Sequence, residues 1–292
     1  MKEKRIMLCL FALLVTISTQ AKQEERNAVY TTALTTLQYT PRESKQTAGT
    51  VIGDVLTAVV GGESTKEMEG YEEAIRAAVV KGLSQARRIK AIDGQLSQEE
   101  AAQPYTWYVD GTIATISSTS KIETWEDKDK KKHSRTVYKG VIGVTLHFKD
   151  AHNDEVVLSP SFNISASDLS WVETAQGALN NAIDQLSYRI TRYLNTQLPL
   201  SALIIEGARE KKDKQKEVYI DLGSDDGCVK GMHFDVFTVR MVAGHEAKKK
   251  IGRLKVTDVQ GEDISLCKVQ SGGRDIKSAI DAGEQLLIIT TD

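Results

Sequence analysis

The spacing of apolar residues changes at residues 198–201, and this change constrains the fold of the 292-residue chain more than any other feature. On the N-terminal side, strand-like segments alternate with two long stretches of helical apolar spacing, and Pro199 ends the second of them. On the C-terminal side, the apolar segments are short, rich in β-formers and separated by glycine or charged residues. The sequence therefore predicts two domains, at residues 22–200 and 201–292.

The first domain is predicted to be an α/β sandwich, with two helices on one face of a mostly antiparallel sheet. The β-branched and aromatic content predicts strands at residues 27–39, 105–117 and 138–149. Helical spacing follows Ser64 and Ser170, each of which stands three residues before a glutamate, as in a capping box. Residues 121–135 are highly charged, and we interpret them as an insertion that forms a solvated hairpin loop.

The second domain is predicted to be a small all-β barrel. Its short strand-like segments are evenly spaced, as in small barrels and sandwiches. The predicted strands are residues 202–206, 217–222, 233–239, 250–260, 263–269 and 284–290. Together the two domains predict the fold class α+β.

The first 21 residues have the three-part pattern of a secretory signal. A charged start is followed by an apolar run from Ile6 to Ile17 and by small residues before a cleavage site expected after Ala21. The apolar run is shorter than the roughly 20 residues that a membrane-spanning helix needs. Cys9 lies inside this run, without the small-residue context of a lipoprotein cleavage site. These features predict a cleavable signal peptide at residues 1–21 and a periplasmic or secreted protein.

Charge and motifs argue against several function classes. The net charge is −2, whereas a nucleic-acid-binding protein usually carries a basic excess. The sequence contains no Gly-x-Ser-x-Gly, His-Glu-x-x-His, Gly-x-x-x-x-Gly-Lys or Cys-x-x-Cys motif. Asp150, His152 and Asp154 alternate at a hairpin tip, where solvated turn residues are more common than metal ligands. We therefore predict no catalytic residue, no metal site, no cofactor and no nucleic-acid partner.

Cys228 and Cys267 are the two cysteines that remain after removal of the signal peptide. In an oxidising compartment such a pair can form a disulfide. Two thiols at apolar strand positions can equally serve as small core residues. The sequence leaves both interpretations open.

Residues 221–232 hold three aspartates and three glycines. A helix–loop–helix calcium site needs oxygen ligands at its first, third and fifth positions, glycine at the sixth and glutamate at the twelfth. Counting from Asp221 puts Gly223 at the third position and Met232 at the twelfth, so we interpret the segment as a tight turn. In this interpretation the glycines supply positive φ angles and two aspartates bond the local backbone. The proposed turn residues are Gly223, Asp225, Asp226, Gly227 and Gly231.

Trp125 is a single aromatic residue among mixed charges, and exposed aromatic residues of this kind are common binding hot spots. The candidate partner-binding residues are Trp125, Glu126, Lys128 and Lys130. In an alternative interpretation, Trp107, Tyr108 or Trp125 stacks against a glycan. Residues 46–62 are small, apolar and punctuated by glycine, which fits a loop, a short buried helix, or contact with a membrane or another subunit. Peripheral membrane association and homo-oligomer formation therefore stay open.

Several segments together resemble known envelope proteins. The N-terminal part is similar to an assembly domain shared by several families. The similarity lies in the order of its segments: a helix, Ile92-Asp93-Gly94, Tyr108 to Ile113, Gly143 to Asp150, and a closing helix before a proline. That domain occurs in CsgG-like curli-secretion proteins, penicillin-binding-protein activator lipoproteins and the middle part of the flagellar assembly protein T. The C-terminal part resembles the β-barrel of the last protein in its turn Gly223 to Gly227, Gly231, Ile251 to Val256 and Ala282 to Leu286.

The resemblance implies a function exerted through protein contacts, because these families act in assembly, activation or secretion, and no catalytic residue carries over from them. The chain lacks the lipoprotein cysteine of the CsgG-like and activator proteins. We therefore expect a secreted or periplasmic non-enzymatic accessory protein that binds another envelope protein. The alternative is a protein that binds a glycan or a cell-wall fragment.

Overall fold

The structure is a computed structural model that describes residues 27–40 and 64–291, without the side chains of residues 64–69. The predicted signal peptide and residues 46–62 lie outside the described residues, as does the capping box predicted from Ser64. The described chain divides into two compact units. We call Val29–Leu194 the sheet unit, and Asn195–Asp292 together with Asn27 and Ala28 the barrel unit.

The sheet unit contains a six-stranded mixed sheet. Strands β1 to β6 are Tyr30–Tyr39, Ile89–Asp93, Thr106–Glu126, Lys132–Asp150, Val156–Leu158 and Ser161–Ile164. Helices α1 to α3 are Ser64–Ser84, Gln98–Ala101 and Ala175–Gln197. The spatial order is β2-β1-β3-β4-β5, and β6 also pairs with β4. β1 is parallel to β2 and β3, whereas all pairings of β4 are antiparallel.

Helices α1 and α3 pack against each other and cover one face of the sheet. A Cβ atom added at Gly140 of β4 would lie 2.3 Å from the carbonyl oxygen of Ala178 in α3, so glycine permits this close approach. The hydroxyl of Thr191 in α3 donates to the carbonyl of Gly82 in α1 at 2.9 Å. Within the described residues, no helix has the length and apolar character needed to cross a bilayer. The predicted arrangement of helices on one sheet face is confirmed.

Helix α3 begins later than the capping-box spacing at Ser170 predicts. Val172 forms an antiparallel bridge with Tyr138 of β4, with hydrogen bonds of 2.7 and 3.0 Å in the two directions. Thr174 then caps the helix, because its hydroxyl accepts a hydrogen bond from the N–H of Gly177 at 3.1 Å. The predicted start at Ser170 was wrong because pairing with β4 holds the chain extended through Val172.

Residues 121–135 were predicted to be a loop, and the structure contradicts this prediction. Strands β3 and β4 continue through the segment and pair without interruption from Lys121 opposite Val137 to Glu126 opposite Lys132. Ile122 and Thr124 are β-branched, and the opposite charges of Glu123 and Arg135 face each other across the strands. The segment therefore forms strands through cross-strand pairing, although its composition is typical of a loop.

The barrel unit is a closed barrel of six strands in the order β10-β11-β8-β7-β12-β9. Strands β7 to β12 are Ser201–Lys211, Lys214–Ile220, His233–Val242, His245–Val259, Ser265–Ser271 and Leu286–Thr290. All neighbouring pairs are antiparallel. The core contains buried aliphatic and aromatic side chains from every strand, including Ala202, Val218, Phe234, Leu254, Cys267 and Ile288. The predicted fold class, α+β with a small barrel, is confirmed.

The barrel unit also contains a helix that the sequence analysis missed, α4 (Gly273–Asp281). Its fully buried Ile276 packs against Gly252 of β10, where an added Cβ would lie 2.7 Å from the Ile276 Cδ1 atom. The helix follows Gly272, whose φ of 76° favours glycine. The spacing of Ile276, Ala279 and Ile280 is the signal that predicts this helix.

Candidate functional site

The distal part of the β3–β4 hairpin, residues 121–137, is the main candidate for an interaction site, and we call it the ribbon. The pairing of β1 with β3 stops at Ile113, and the pairing of β6 with β4 stops at Ile142. Within the described residues, the strands of the ribbon therefore pair only with each other. The paired part is about 17 Å long at ~3.4 Å per residue, and both of its outer edges carry unpaired backbone groups.

Trp125 lies at the far end of the ribbon and is 47% exposed. Its indole stacks on the imidazole of His133, with 5.4 Å between ring centroids and 19° between ring planes. The guanidinium carbon of Arg135 lies 5.7 Å from the indole centroid, and Glu123 accepts a hydrogen bond from Arg135 at 3.1 Å. These neighbours hold the indole in place, and this lowers the entropic cost of ordering the side chain when a partner binds.

The turn of the ribbon is organised by the carboxylate of Asp127. This carboxylate lies 2.8 Å from the His133 Nε2 atom and accepts hydrogen bonds from the backbone N–H groups of Asp129 and Lys131, both at 2.9 Å. The contact with His133 and these N–H groups hold the pKa of Asp127 below its usual value. His133, which stacks on Trp125, is thus held by a residue of the turn.

The ribbon brings the four predicted partner-binding residues together at one tip. Trp125 and Glu126 end β3, and Lys128 and Lys130 lie in the turn. Since side chains alternate along a strand, Trp125 and Glu126 point to opposite faces of the ribbon. The contributions of Glu123, His133 and Arg135 were not predicted from the sequence, because they depend on the register between the two strands.

Contacts with residues 171–173 fasten the base of the ribbon. The Trp171 ring centroid lies 4.6 Å from the Lys121 Nζ atom and 4.8 Å from the Lys139 Nζ atom. Arg135 donates a hydrogen bond to Glu173 at 2.9 Å. These cation–π and ionic contacts join both strands of the ribbon to the chain before α3.

The aromatic residues considered for glycan stacking do not share a cleft. Trp107 is buried, and its ring packs 4.1 Å from Tyr30 and 5.8 Å from Phe148, centroid to centroid. Trp107 and Trp125 lie on the same strand, separated by roughly 60 Å at ~3.3 Å per residue. Tyr108 follows Trp107 and points to the other face of the sheet. No single glycan contacts all three.

Residues 221–232 form a tight connection between β8 and β9. Gly227 and Gly231 have φ angles of 75° and 98°. Gly223 does not have a positive φ and instead allows a close approach, because an added Cβ would lie 2.1 Å from the carbonyl oxygen of Glu262. Asp226 accepts a hydrogen bond from the Gly223 N–H at 3.2 Å, whereas Asp225 bonds through its own N–H to Glu262.

Burial and two neighbouring carboxylates act on the Asp226 side chain in this turn. Burial raises the pKa of Asp226, and the nearby charges of Asp225 and Asp263 raise it further. Across residues 27–40 and 64–291, no three His, Cys, Asp or Glu side chains form a group that suits a metal ion. The connection acts as a structural turn.

Cys228 and Cys267 carry free thiols in the structure, and both are buried. The Ser265 hydroxyl lies 3.4 Å from the Cys228 sulfur. Burial, with a smaller contribution from Cys228, raises the pKa of the Cys267 thiol to about 12. In this arrangement the two residues fill the barrel core as small apolar groups, and the disulfide stays a prediction for solution chemistry.

Comparison with known proteins identifies no family. No protein-family model matches the chain, and no curated protein matches it. Three solved structures match part of the chain: a protein described as a putative neuraminyllactose-binding hemagglutinin homolog from Helicobacter pylori, a PelC dodecamer from Paraburkholderia phytofirmans, and the hypothetical protein CT253 from Chlamydia trachomatis.

All three structures are distant from this chain. Their identities are 10%, 11% and 8%, and their TM-scores are 0.31, 0.26 and 0.28, in the same order. The matches cover 59%, 56% and 58% of this chain and 88%, 90% and 95% of the other chains. Likenesses at this level carry no conclusion about function.

Proposed function

We propose that the protein is a non-enzymatic accessory protein of the cell envelope that binds another envelope protein through the ribbon. The observation that carries this proposal is the half-exposed Trp125, held by His133 and Arg135 at the tip of the ribbon. Neither edge of the ribbon pairs with another strand of the described residues. A fixed aromatic anchor surrounded by polar residues is the usual composition of a binding hot spot. The signal-peptide pattern supports the envelope location.

The shape of the ribbon favours a protein partner over a glycan. Its edges offer backbone N–H and carbonyl groups to which an extended strand of a partner can add. Ile122 is 70% exposed and points to the face opposite Trp125, so each face carries one exposed apolar side chain. A partner groove that receives the ribbon buries both side chains. A glycan would use only one face.

The proposal is tested by photocrosslinking in the native cell. A photoreactive phenylalanine replaces Trp125 in one variant and Tyr188 in a control. Tyr188 is a suitable control because it is an aromatic residue of the same unit, 57% exposed, on helix α3. We expect position 125 to capture one dominant envelope protein that position 188 does not capture.

Two results contradict the proposal. If both positions capture the same set of proteins, contact at position 125 is nonspecific. If position 125 captures no protein although the chain is folded and abundant, the ribbon is not a protein-binding site. In that second case, binding to cell-wall fragments becomes the function to test.

A further inference from the structure

One end of the barrel unit gathers two hairpin tips and the start of α4. Strand β12 is antiparallel to both β7 and β9, so β7 and β9 run in the same direction. Strand β8 is antiparallel to both β7 and β11, so β11 also runs in that direction. The β7–β8 turn, the β9–β10 turn and the β11–α4 connection therefore lie at one end of the barrel, which we call the α4 end.

Carboxylates at the α4 end are mostly neutralised by cations from the same end. Lys277 lies 2.8 Å from Glu210 and 3.2 Å from Asp281. Asp213 lies 2.5 Å from Arg274, and Glu284 lies 3.6 Å from Arg240. Two carboxylates, Glu246 and Asp275, have no ion pair in the described part of the chain. Exposed lysines without an ion pair in that part are more numerous, namely Lys211, Lys212, Lys214, Lys248 and Lys249. The α4 end is therefore basic.

Two apolar side chains stand beside these lysines at the tip of the β9–β10 hairpin. Met241 is 66% exposed, and Val242 is 59% exposed. Because they are consecutive strand residues, they project from opposite faces of the hairpin, and neither shelters the other. Lys248 pairs with Val239 and Lys249 with Thr238, so the cations lie a few residues behind the apolar tip.

We infer that the α4 end docks on an anionic phospholipid surface. Met241 and Val242 enter the interfacial layer, and the lysines contact the headgroups. Exposed apolar side chains in front of lysines are the combination that binds lipid interfaces, where burial and electrostatic attraction add. A nucleic acid or an acidic protein loop would satisfy the lysines but would leave both apolar side chains in water.

The charge at the opposite end of the barrel favours docking on an anionic surface through the α4 end only. The connections there follow β8 and β10 and carry mainly carboxylates, namely Asp221, Asp225, Asp226, Glu262 and Asp263. Their charge repels an anionic surface. The barrel unit thus has one attractive end and one repulsive end.

The experiment is flotation of residues 22–292, the chain without the predicted signal peptide, with vesicles of phosphatidylcholine alone or with one quarter phosphatidylglycerol. We expect binding to the anionic vesicles only. The double variant K248Q/K249Q should bind roughly thirty-fold more weakly, from about 1 kcal/mol for each lysine near the surface and tenfold for each 1.4 kcal/mol. The double variant M241S/V242S should bind at least tenfold more weakly.

The matched control is Val229→Ser together with Lys230→Gln. Val229 is 57% exposed and, like Lys230, follows β8 at the acidic end, so this variant should bind as the unchanged chain does. All the substituted side chains are exposed, and equal thermal unfolding of the variants will show that folding is unchanged. Trp125→Ala should also keep its binding, which separates the lipid surface from the ribbon.

Four outcomes overturn the inference. The first is no binding to anionic vesicles, and the second is equal binding to neutral vesicles. The third is loss of binding in Trp125→Ala or in the acidic-end control but not in the α4-end variants. The fourth is binding to heparin without binding to vesicles, which would assign the lysines to an acidic polymer.

Discussion

Trp125 and His133 face each other across the two strands of the ribbon, and their rings are stacked with centroids 5.4 Å apart. His133 is held in turn by the Asp127 carboxylate at 2.8 Å. This chain of contacts fixes the indole although it is 47% exposed. An exposed but fixed aromatic side chain contributes little to folding and is well prepared for binding.

Trp125→Ala is therefore expected to separate binding from stability. We expect the variant to bind the protein captured at position 125 at least thirtyfold more weakly, because truncation of a central aromatic hot spot costs about 2 kcal/mol or more. The free energy of unfolding should change by less than about 0.5 kcal/mol, since the half-exposed side chain lies on the surface of the ribbon, outside the core. Titration with the purified partner measures the first quantity, and urea denaturation the second.

Tyr188→Ala is the control for this prediction, because it removes an exposed aromatic side chain from α3. It should leave partner binding unchanged. Equal weakening by both substitutions would show that neither residue marks the interface. A large loss of stability in Trp125→Ala would instead make the indole a structural residue.

The contact between Gly140 and α3 predicts opposite effects for two glycine substitutions. An added Cβ at Gly140 would lie 2.3 Å from a backbone oxygen of Ala178, so Gly140→Ala should lower the free energy of unfolding by about 3 kcal/mol. Gly70 lies in α1, and beyond the adjacent turns of its own helix no described atom comes within 4 Å of an added Cβ. Gly70→Ala should raise stability by about 0.5–1 kcal/mol through helix propensity. Urea denaturation of both variants tests the two predictions. Similar changes in the free energy of unfolding would contradict the close contact between Gly140 and α3.

The fold was predictable where one segment carries its own signal. Apolar spacing predicts α1 and α3, and alternation predicts most of the twelve strands in the described part of the chain. Helix α4 was missed because it has nine residues and no side-chain cap at Gly272. The start of α3 was misplaced because the bridge between Val172 and Tyr138 joins residues that are distant in sequence.

The candidate site was predictable only in part. Trp125 stands out by composition, so it was identified without a structure. Its support by His133 and Arg135 depends on which residues of β3 and β4 face each other. That register follows from the position of the turn, and the charged composition of residues 121–135 conceals the turn.

Asp110 predicts a pH dependence of stability. Its carboxylate accepts hydrogen bonds from Lys149 at 2.6 Å, Thr35 at 2.8 Å and Thr36 at 3.0 Å. The bond from Lys149 is the main cause that holds the pKa of Asp110 below its usual value, although burial opposes it. Folding therefore favours the charged form. The resulting stability is present above the unfolded pKa of about 4 and is lost as the pH falls through the lower folded pKa.

Asp110→Asn should accordingly lower the free energy of unfolding at pH 7 by about 1 kcal/mol, a value that allows for solvent screening. The difference from the unchanged chain should shrink as the pH falls below about 4. Asp184→Asn is the control, because Asp184 is exposed and lies 3.8 Å from Lys81, and it should have a smaller effect. A difference that grows at low pH would contradict the assignment.

The buried thiols of Cys228 and Cys267 predict a distinct pattern of reactivity. In a Cys9→Ala chain at pH 8, neither thiol should react with Ellman's reagent, since the thiolate is the reactive form and the pKa of Cys267 is raised to about 12. Unfolding in guanidinium without reductant should then release both thiols. If no thiol appears until reductant is added, the residues form a disulfide in solution. Reduction would in that case lower the free energy of unfolding by about 4 kcal/mol, from the entropy of closing the intervening loop.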